Sequence, residues 1–327
     1  MYDIAIISGD GIGKEVMESA EFLLDKLNIN FNFKHAEAGF ECFNKNGTTL
    51  PEETVKIAKS SDATLFGAST STPGQPSPII NLRKQLDVYA NLRPIKSYKG
   101  VKSIEDNIDF IIVRENTEGL YSQIEYGDDN QVIAERVITR HASEKISEIA
   151  FKLAKRREKQ NKVTCVHKSN VLKKTDGVFK ESFYKIAEKY PQITTEDFYV
   201  DAMAMYLLTQ PQNFDVIVSS NLFGDILSDE SAGLVGGLGL APSGNIGDHN
   251  GLFEPVHGSA PDIAGKHIAN PCSMILSASM MLDYLGEWET ANDIKNAVEK
   301  VVADCKIRTP DLGGDASTIE ITKAIVK

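Results

Sequence analysis

Cysteine is scarce and unpaired in this sequence. Cys42, Cys165, Cys272 and Cys305 lie far apart in 327 residues. No two make a Cys-x-x-Cys, so neither a zinc knuckle nor a redox dithiol is indicated, and small buried apolar side chains are expected for all four. Long apolar runs are missing as well. No stretch approaches the ~20 residues that cross a bilayer, and Met1-Tyr2-Asp3-Ile4 leads straight into a strand-like run without the basic and apolar regions of a secretory signal. A cytoplasmic chain is therefore expected. Positive charge is in deficit, with 35 Lys and Arg against 46 Asp and Glu and a net charge of −11. Such a balance argues against non-specific binding to nucleic acid or to an anionic membrane. It leaves room for a small anionic ligand, because a local arginine cluster can reverse the field.

The composition that remains, 42% apolar and 25% charged, is that of an ordinary globular protein. The length suits about two domains, and with no linker or repeat they would be closely packed. Ile4–Ile7 is a short apolar run ending in Ser8-Gly9-Asp10-Gly11. Val16, Ala20, Leu23, Leu24 and Leu27 then form a helical stripe. Phe31 and Phe33 alternate with polar residues, Pro51-Glu52-Glu53 starts a helix, and Thr64-Leu65-Phe66 is a strand. This β-α-β-α-β rhythm predicts an α/β fold. Further on, Ser69–Pro78 reads as a loop, followed by a helix carrying Leu82, Leu86 and Tyr89. Ile108–Val113 is a strand, and the polar Gly127-Asp128-Asp129-Asn130 turns a hairpin between Tyr126 and His141. Helix and strand alternate from Ser143 to Ser219, and Ser273–Leu285 is a buried helix.

Several constellations can carry chemistry. Gly9-Asp10-Gly11-Ile12-Gly13 has one residue too few between its last two glycines for a dinucleotide fingerprint, and a tight strand-to-helix turn is the alternative. Arg83, Arg93 and Arg114 could grip a di- or tricarboxylate if they converge, since guanidinium forks bind carboxylates bidentately; singly, each suits a surface ion pair. Asp225 and Asp229, four apart on a helix, put two carboxylates on one face. They are either solvated acids or ligands for Mg²⁺ or Mn²⁺, with Asp201 as a third. Lys168, in Val166-His167-Lys168-Ser169-Asn170 just past a strand end, could act as a base. Glu254-Pro255-Val256-His257-Gly258-Ser259-Ala260-Pro261-Asp262-Ile263 is either a phosphate-cradling loop or a plain surface loop.

Together these strings resemble the β-decarboxylating dehydrogenases, the family of isocitrate, 3-isopropylmalate, homoisocitrate and tartrate dehydrogenases, over essentially the whole chain. The resemblance implies two α/β domains in an α/β/α sandwich around a shared sheet, not a Rossmann fold. Residues 1–88 with 236–327 would form a cofactor domain, and 89–235 a substrate, metal and dimerisation domain with a clasping hairpin. It implies that Arg83, Arg93 and Arg114 hold the malate carboxylates and that Asn170 also touches substrate. Tyr121 would donate a proton to carbon, and Lys168 would take the hydroxyl proton. Asp201, Asp225 and Asp229 would hold Mg²⁺ or Mn²⁺, with Lys168 and Asp201 supplied by the second subunit of a homodimer. His257, Gly258, Ser259, Ala260, Asp262 and Asn270 would bind the dinucleotide, and Asp262, facing the ribose, favours NAD over NADP. Ser77, Ile79 and Ile80 would read the substituent on the malate. That string looks most like the methanogen-type homoisocitrate enzymes, with 3-isopropylmalate next and isocitrate third. A regulatory subunit of this fold would lack part of the Arg, Tyr, Lys and Asp set, which is complete here. A metal-dependent hydrolase would leave Tyr121, Lys168 and the Asp262 loop without a task.

Overall fold

The computed structural model describes residues 1–327, which form two compact units. One unit comprises Met1–Val88, Tyr98–Ser103 and Gly236–Lys327, and the other Tyr89–Ser97 and Ile104–Val235. The chain opens with β1 (Tyr2–Gly9), α1 (Gly13–Leu24), β2 (Phe31–His35), α2 (Phe40–Asn46), α3 (Glu52–Ser60), β3 (Ala63–Ala68) and α4 (Pro78–Gln85). The middle of the chain supplies β4 (Ala90–Lys96), β5 (Asp109–Glu115), β6 (Gly119–Gly127), β7 (Val132–Val137), α5 (Arg140–Arg157), β8 (Lys162–His167), α6 (Thr175–Ala187), β9 (Thr194–Tyr199), α7 (Val200–Thr209), β10 (Val216–Ser219) and α8 (Asn221–Leu234). The return segment contributes β11 (Pro242–Ile246), β12 (Gly251–Pro255), α9 (Cys272–Tyr284), α10 (Trp288–Asp304) and α11 (Thr318–Val326).

In the first unit the strand order is β2-β1-β3-β12-β11, parallel except for β11 against β12. Alternation within the strands feeds two cores. Ile4, Ile6, Leu65 and Phe253 pack among α1, α9, α10 and α11, while Ala5, Ile7, Phe66 and Leu252 pack with Ala58 and Leu82 on the opposite face. Strands buried on both faces read as continuous apolar runs, which is why β1 and β3 are legible in the sequence. Each fully buried Val, Leu, Ile or Phe contributes about 1.5–3 kcal/mol. The helix read through Tyr89 stops earlier, at Gln85, because Asp87 turns the backbone to φ 50°.

The glycine string after β1 is a structural turn. The buried Asp10 carboxylate accepts the backbone N–H groups of Phe40, Glu41 and Thr70 at 2.8–2.9 Å. Gly11, at φ 56°, brings the chain so close to the carbonyl of Ser259 that a Cβ there would lie 2.1 Å from its oxygen.

In the second unit the order is β4-β5-β10-β8-β9, with only β4 antiparallel to its neighbour. α7 and α8 cover one face, where Phe110, Ile112, Ile217, Met203, Leu207 and Leu227 form the core. α5 and α6 pack together beside the same sheet. β6 and β7 form the separate two-stranded hairpin, turned by the Asp128 side chain, which accepts the N–H groups of Asn130 and Gln131. Cys42, Cys165 and Cys272 are buried, but Cys305 is exposed. It lies beyond the last turn of α10 in a left-handed conformation, where the helix's apolar stripe has ended. No helix is long and apolar enough to cross a membrane.

Candidate active site

Antiparallel pairing of β4 with β5 sets Asn91 opposite Arg114. Arg93 stands two residues from Asn91, so all three side chains share a face, and α8 lies against it. Gly224 permits that approach, since a Cβ there would meet the Arg114 side chain at 2.8 Å. Arg114 is buried to 1% exposure. Its Nε donates to the Asn221 carbonyl at 3.0 Å, its Nη2 to Asn221 Oδ1 at 2.7 Å and its Nη1 to Asp225 Oδ1 at 2.5 Å. Arg93 donates through Nε to Asn91 Oδ1 at 2.8 Å, and through Nη1 to Ser228 Oγ at 2.7 Å and Asp229 Oδ1 at 2.8 Å. Its Nη2 lies 3.3 Å from Asp225 Oδ1.

Tyr121 enters from β6. Its hydroxyl donates to Asp225 Oδ2, and its ring lies under the Arg114 guanidinium at 5.0 Å. Burial, and then the Asp225 carboxylate, raise its pKa above the usual phenol range, so the group keeps its proton at neutral pH. The Asp229 carboxyl is also raised, by burial first and by the like charge of Asp225, against the pull of Arg93.

Of the three arginines expected to converge, this cluster brings together two. Arg83 belongs to the first unit, where its Nη2 and Nε reach Glu254 Oε1 at 2.6 and 3.1 Å. Glu254 also accepts from Asn245 Nδ2 at 2.8 Å.

Lys168 and Asp201 form a second centre in the second unit. Lys168 follows β8, and its Nζ lies 2.5 Å from Asp201 Oδ1. Asp201 stands in the first turn of α7, not in a loop after β9, and the hydrogen bond from Lys168 holds its carboxyl below the usual range. His167, fully buried, gives Nε2 to Asp197 Oδ2 at 2.9 Å, and Asn170 is exposed.

Burial alone would raise the Asp197 carboxyl, but hydrogen bonds from Lys180, Tyr184 and His167 outweigh it and hold the group at about 2. A depressed carboxylate stabilises the fold above its unfolded value and loses that contribution as pH falls through its folded value. We therefore expect a urea midpoint that declines between about pH 4 and pH 2. Asp197→Asn should flatten that slope and cost roughly 1–2 kcal/mol at neutral pH after solvent screening. Urea titrations of both proteins across that range provide the check, and parallel slopes would refute it.

Asp201 does not join Asp225 and Asp229, and no group of three His, Cys, Asp or Glu side chains is arranged to hold a metal. The donor chemistry nonetheless suits a hard cation. Asp225 and Asp229 present carboxylate oxygens from one helix face, and both turn to the same arginine. One chain brings Asp225 and Asp229 together here and holds Asp201 elsewhere, against Lys168.

The candidate dinucleotide loop follows β12 in the first unit. Ser259 is fixed at both ends, its carbonyl accepting Ile12 N–H at 2.9 Å and its Oγ accepting from Thr70 at 2.8 Å. His257 Nε2 is buried with no partner, and burial lowers the ring's pKa. Gly258 and Asp262 are exposed, and Ala260 takes a positive φ of 39°. Asn270 is committed to the fold, donating to Asp311 Oδ2 at 2.9 Å and accepting the Cys272 N–H at 3.0 Å. On α4, Ile79 packs against the core, and Ile80 is half-buried like it. The Ser77 hydroxyl does not cap the helix that follows it.

The sequence reading gave no role to Asn91, Asn221, Ser228 or Glu254. Asn221 and Ser228 share the helix face of Asp225 and Asp229, a spacing visible in the sequence. Glu254 opens the loop string, but nothing local reveals its pairing with Arg83.

An α/β protein with two buried arginines, two helix-borne carboxylates and a proton-bearing phenol in one cluster is the class these features define. A family model described as isocitrate/isopropylmalate dehydrogenase matches residues 3–325. A 3-isopropylmalate/3-methylmalate dehydrogenase of Methanocaldococcus jannaschii is 56% identical, covering 100% of this chain and 98% of that protein. An isocitrate/homoisocitrate dehydrogenase of Thermus thermophilus is 51% identical, covering 100% and 98%. The crystal structure of isocitrate dehydrogenase from Methylococcus capsulatus superposes with a TM-score of 0.95 at 42% identity, covering 100% and 98%. The chain belongs to the isocitrate/isopropylmalate dehydrogenase family and is a β-decarboxylating dehydrogenase acting on a CH–OH group. Enzymes of this family bind small hydroxy-carboxylates, generally use NAD and a divalent metal, and are typically oligomeric.

Proposed function

We propose that this enzyme carries out NAD- and Mg²⁺- or Mn²⁺-dependent oxidative decarboxylation of a malate with an apolar substituent at C3, 3-isopropylmalate or a shorter 3-alkylmalate. The observation that carries the reaction is the cluster of Arg93, Arg114, Tyr121, Asp225 and Asp229. Two guanidinium forks bind carboxylate, and a proton-bearing phenol stands beside them. The substituent is read from Ile80, a half-buried apolar side chain on α4. Relatives 56% and 53% identical carry 3-isopropylmalate in their names. Homoisocitrate is the second reading. Ser77 favours it, because its hydroxyl is not used as a helix cap and can meet a distal carboxylate. Relatives 51% and 50% identical carry homoisocitrate in theirs.

In this reading a second copy supplies Lys168 and Asp201, the third carboxylate that a single chain holds apart. Exposed apolar side chains on the hairpin (Ile124, Tyr126, Val132, Ile133) and on α7 and α8 (Met205, Leu208, Ile226) suit a self-association surface. The first unit takes the dinucleotide. Asp262, exposed on its loop, accepts from ribose hydroxyls and repels a 2′-phosphate. Asp225 and Asp229, with Asp201 of the second copy, would hold the metal, which would supply Lewis acidity, and NAD would supply the hydride acceptor. Lys168 takes the hydroxyl proton as the carbinol carbon is oxidised. Arg93 and Arg114 hold the carboxylates of the malate core. After carbon dioxide leaves, Tyr121 returns a proton to C3.

Initial rates of NADH formation with Mg²⁺, with 3-isopropylmalate, homoisocitrate and isocitrate side by side, test the proposal. The expected order of kcat/KM puts 3-isopropylmalate first, and NADP should be poorer than NAD by about a hundredfold or more. A preference for homoisocitrate would make Ser77 the reader of the substituent. No turnover with any of the three would refute the proposal.

A further inference from the structure

One ion pair in the second unit has so far been given no role. Asp176, in the first turn of α6, is 1% exposed. Its Oδ2 accepts the backbone N–H of Lys168 at 2.6 Å, and its Oδ1 accepts from Arg136 Nη1. Arg136 belongs to β7 of the hairpin, and its side chain is 14% exposed. The same guanidinium donates through Nη1 to Thr175 Oγ1 at 3.0 Å and through Nη2 to Ser220 Oγ at 2.9 Å, and it lies over the Phe223 ring at 5.2 Å. Ser220 immediately precedes α8.

We infer that Arg136 and Asp176 are positioning residues for Lys168, holding the backbone from which its amine reaches the reacting hydroxyl. The inference rests on the reading of Lys168 as the base. A carboxylate this deeply buried needs a charged partner, and Arg136 supplies it from another element. The carboxylate then spends its second oxygen on the one N–H that sets where Lys168 begins. The Lys168 amine meets an exposed acid, Asp201, and lies 5.7 Å from the centroid of the Tyr199 ring, contacts that fix little, so its placement comes largely from the main chain. The far side of Arg136 rests on Ser220, the residue before α8 of the same chain, so the hairpin, α6 and α8 together fix where Lys168 begins. Misplacing a catalytic group by about 1 Å can cost on the order of a hundredfold in rate.

The test is a double-mutant cycle on kcat. Asp176→Glu keeps the charge and lengthens the side chain by one methylene, so it should fold while moving the Lys168 backbone. Its kcat should fall by roughly tenfold to a hundredfold, with KM for NAD within about twofold of the parent, because the dinucleotide loop is untouched. Arg136→Lys keeps a cation but not the fork that spans Asp176 and Ser220, and should lose about tenfold. In a Lys168→Met background, Asp176→Glu should cost no more than about twofold, since residues acting as one unit are non-additive. Parental kcat in D176E, or a penalty that multiplies with K168M, overturns the inference. Parental kcat in K168M alone would instead overturn the reading of Lys168 as the base, so the two failures are told apart.

Discussion

Lys168→Met is expected to lower kcat by roughly 10²–10⁴, the usual contribution of a positioned general base, with kcat/KM falling in parallel because the proton transfer belongs to the transition state. The fold should survive. Lys168 is half-buried and its partner Asp201 is mostly exposed, and an ion pair of that kind adds little to stability. His167, buried and bound to Asp197, keeps the preceding residue in place without the amine. Steady-state kinetics with 3-isopropylmalate, alongside a thermal melt, separates chemistry from folding. A variant that melts like the parent and keeps more than about a tenth of kcat would remove Lys168 from the mechanism.

Asp225→Asn should act on two properties at once. The carboxylate is the meeting point of Arg93, Arg114 and Tyr121, and Arg114 is almost fully buried. Removing its charge leaves a buried cation short of its partner. A fully buried broken pair costs about 3–5 kcal/mol; Asp225 retains some solvent contact, so about 2 kcal/mol is expected. Mn²⁺ affinity, measured by calorimetric titration, should fall by at least roughly a hundredfold, since even outer-shell partners of metal ligands cost 10–100-fold. Asp229→Asn should weaken Mn²⁺ comparably with a smaller stability loss, because that carboxylate is more than half exposed. Unchanged Mn²⁺ binding in D225N would exclude α8 as the metal helix.

Sequence and structure agree where side-chain period carries the information. β1, β3, β5, β8 and α1 are set by apolar runs or stripes, and the hairpin by one polar turn. β4 escapes detection because Arg93 and Pro94 interrupt it, and a proline cannot donate to a ladder. Yet β4 is what makes Arg93 and Arg114 neighbours, so their convergence could be suspected from the sequence but not established. β11 and β12, five residues each, are hidden in a glycine-rich stretch. Asp225 and Asp229 were legible as a pair because helical spacing alone puts them on one face. The Arg136–Asp176 pair was not, since its members lie 40 residues apart on different elements and neither sits in a recognisable string. Ile79 and Ile80 look equivalent in the sequence, and the packing of Ile79 against the first unit's core is visible only in the fold.

The parallel pairing of β12 with β3 has a consequence during synthesis. Leu65 acquires its neighbour Phe253 only after the whole second unit has left the ribosome, on the order of ten seconds or more at ordinary translation rates. Until then Ala63–Ala68, buried throughout in the finished fold, offers a bare apolar strand edge of the kind that templates aggregation. The intervening unit, nearly continuous in sequence, carries five successive sheet strands and a core of its own and can fold during that wait. The most vulnerable nascent chains are therefore those that already carry a folded middle and still lack their last quarter.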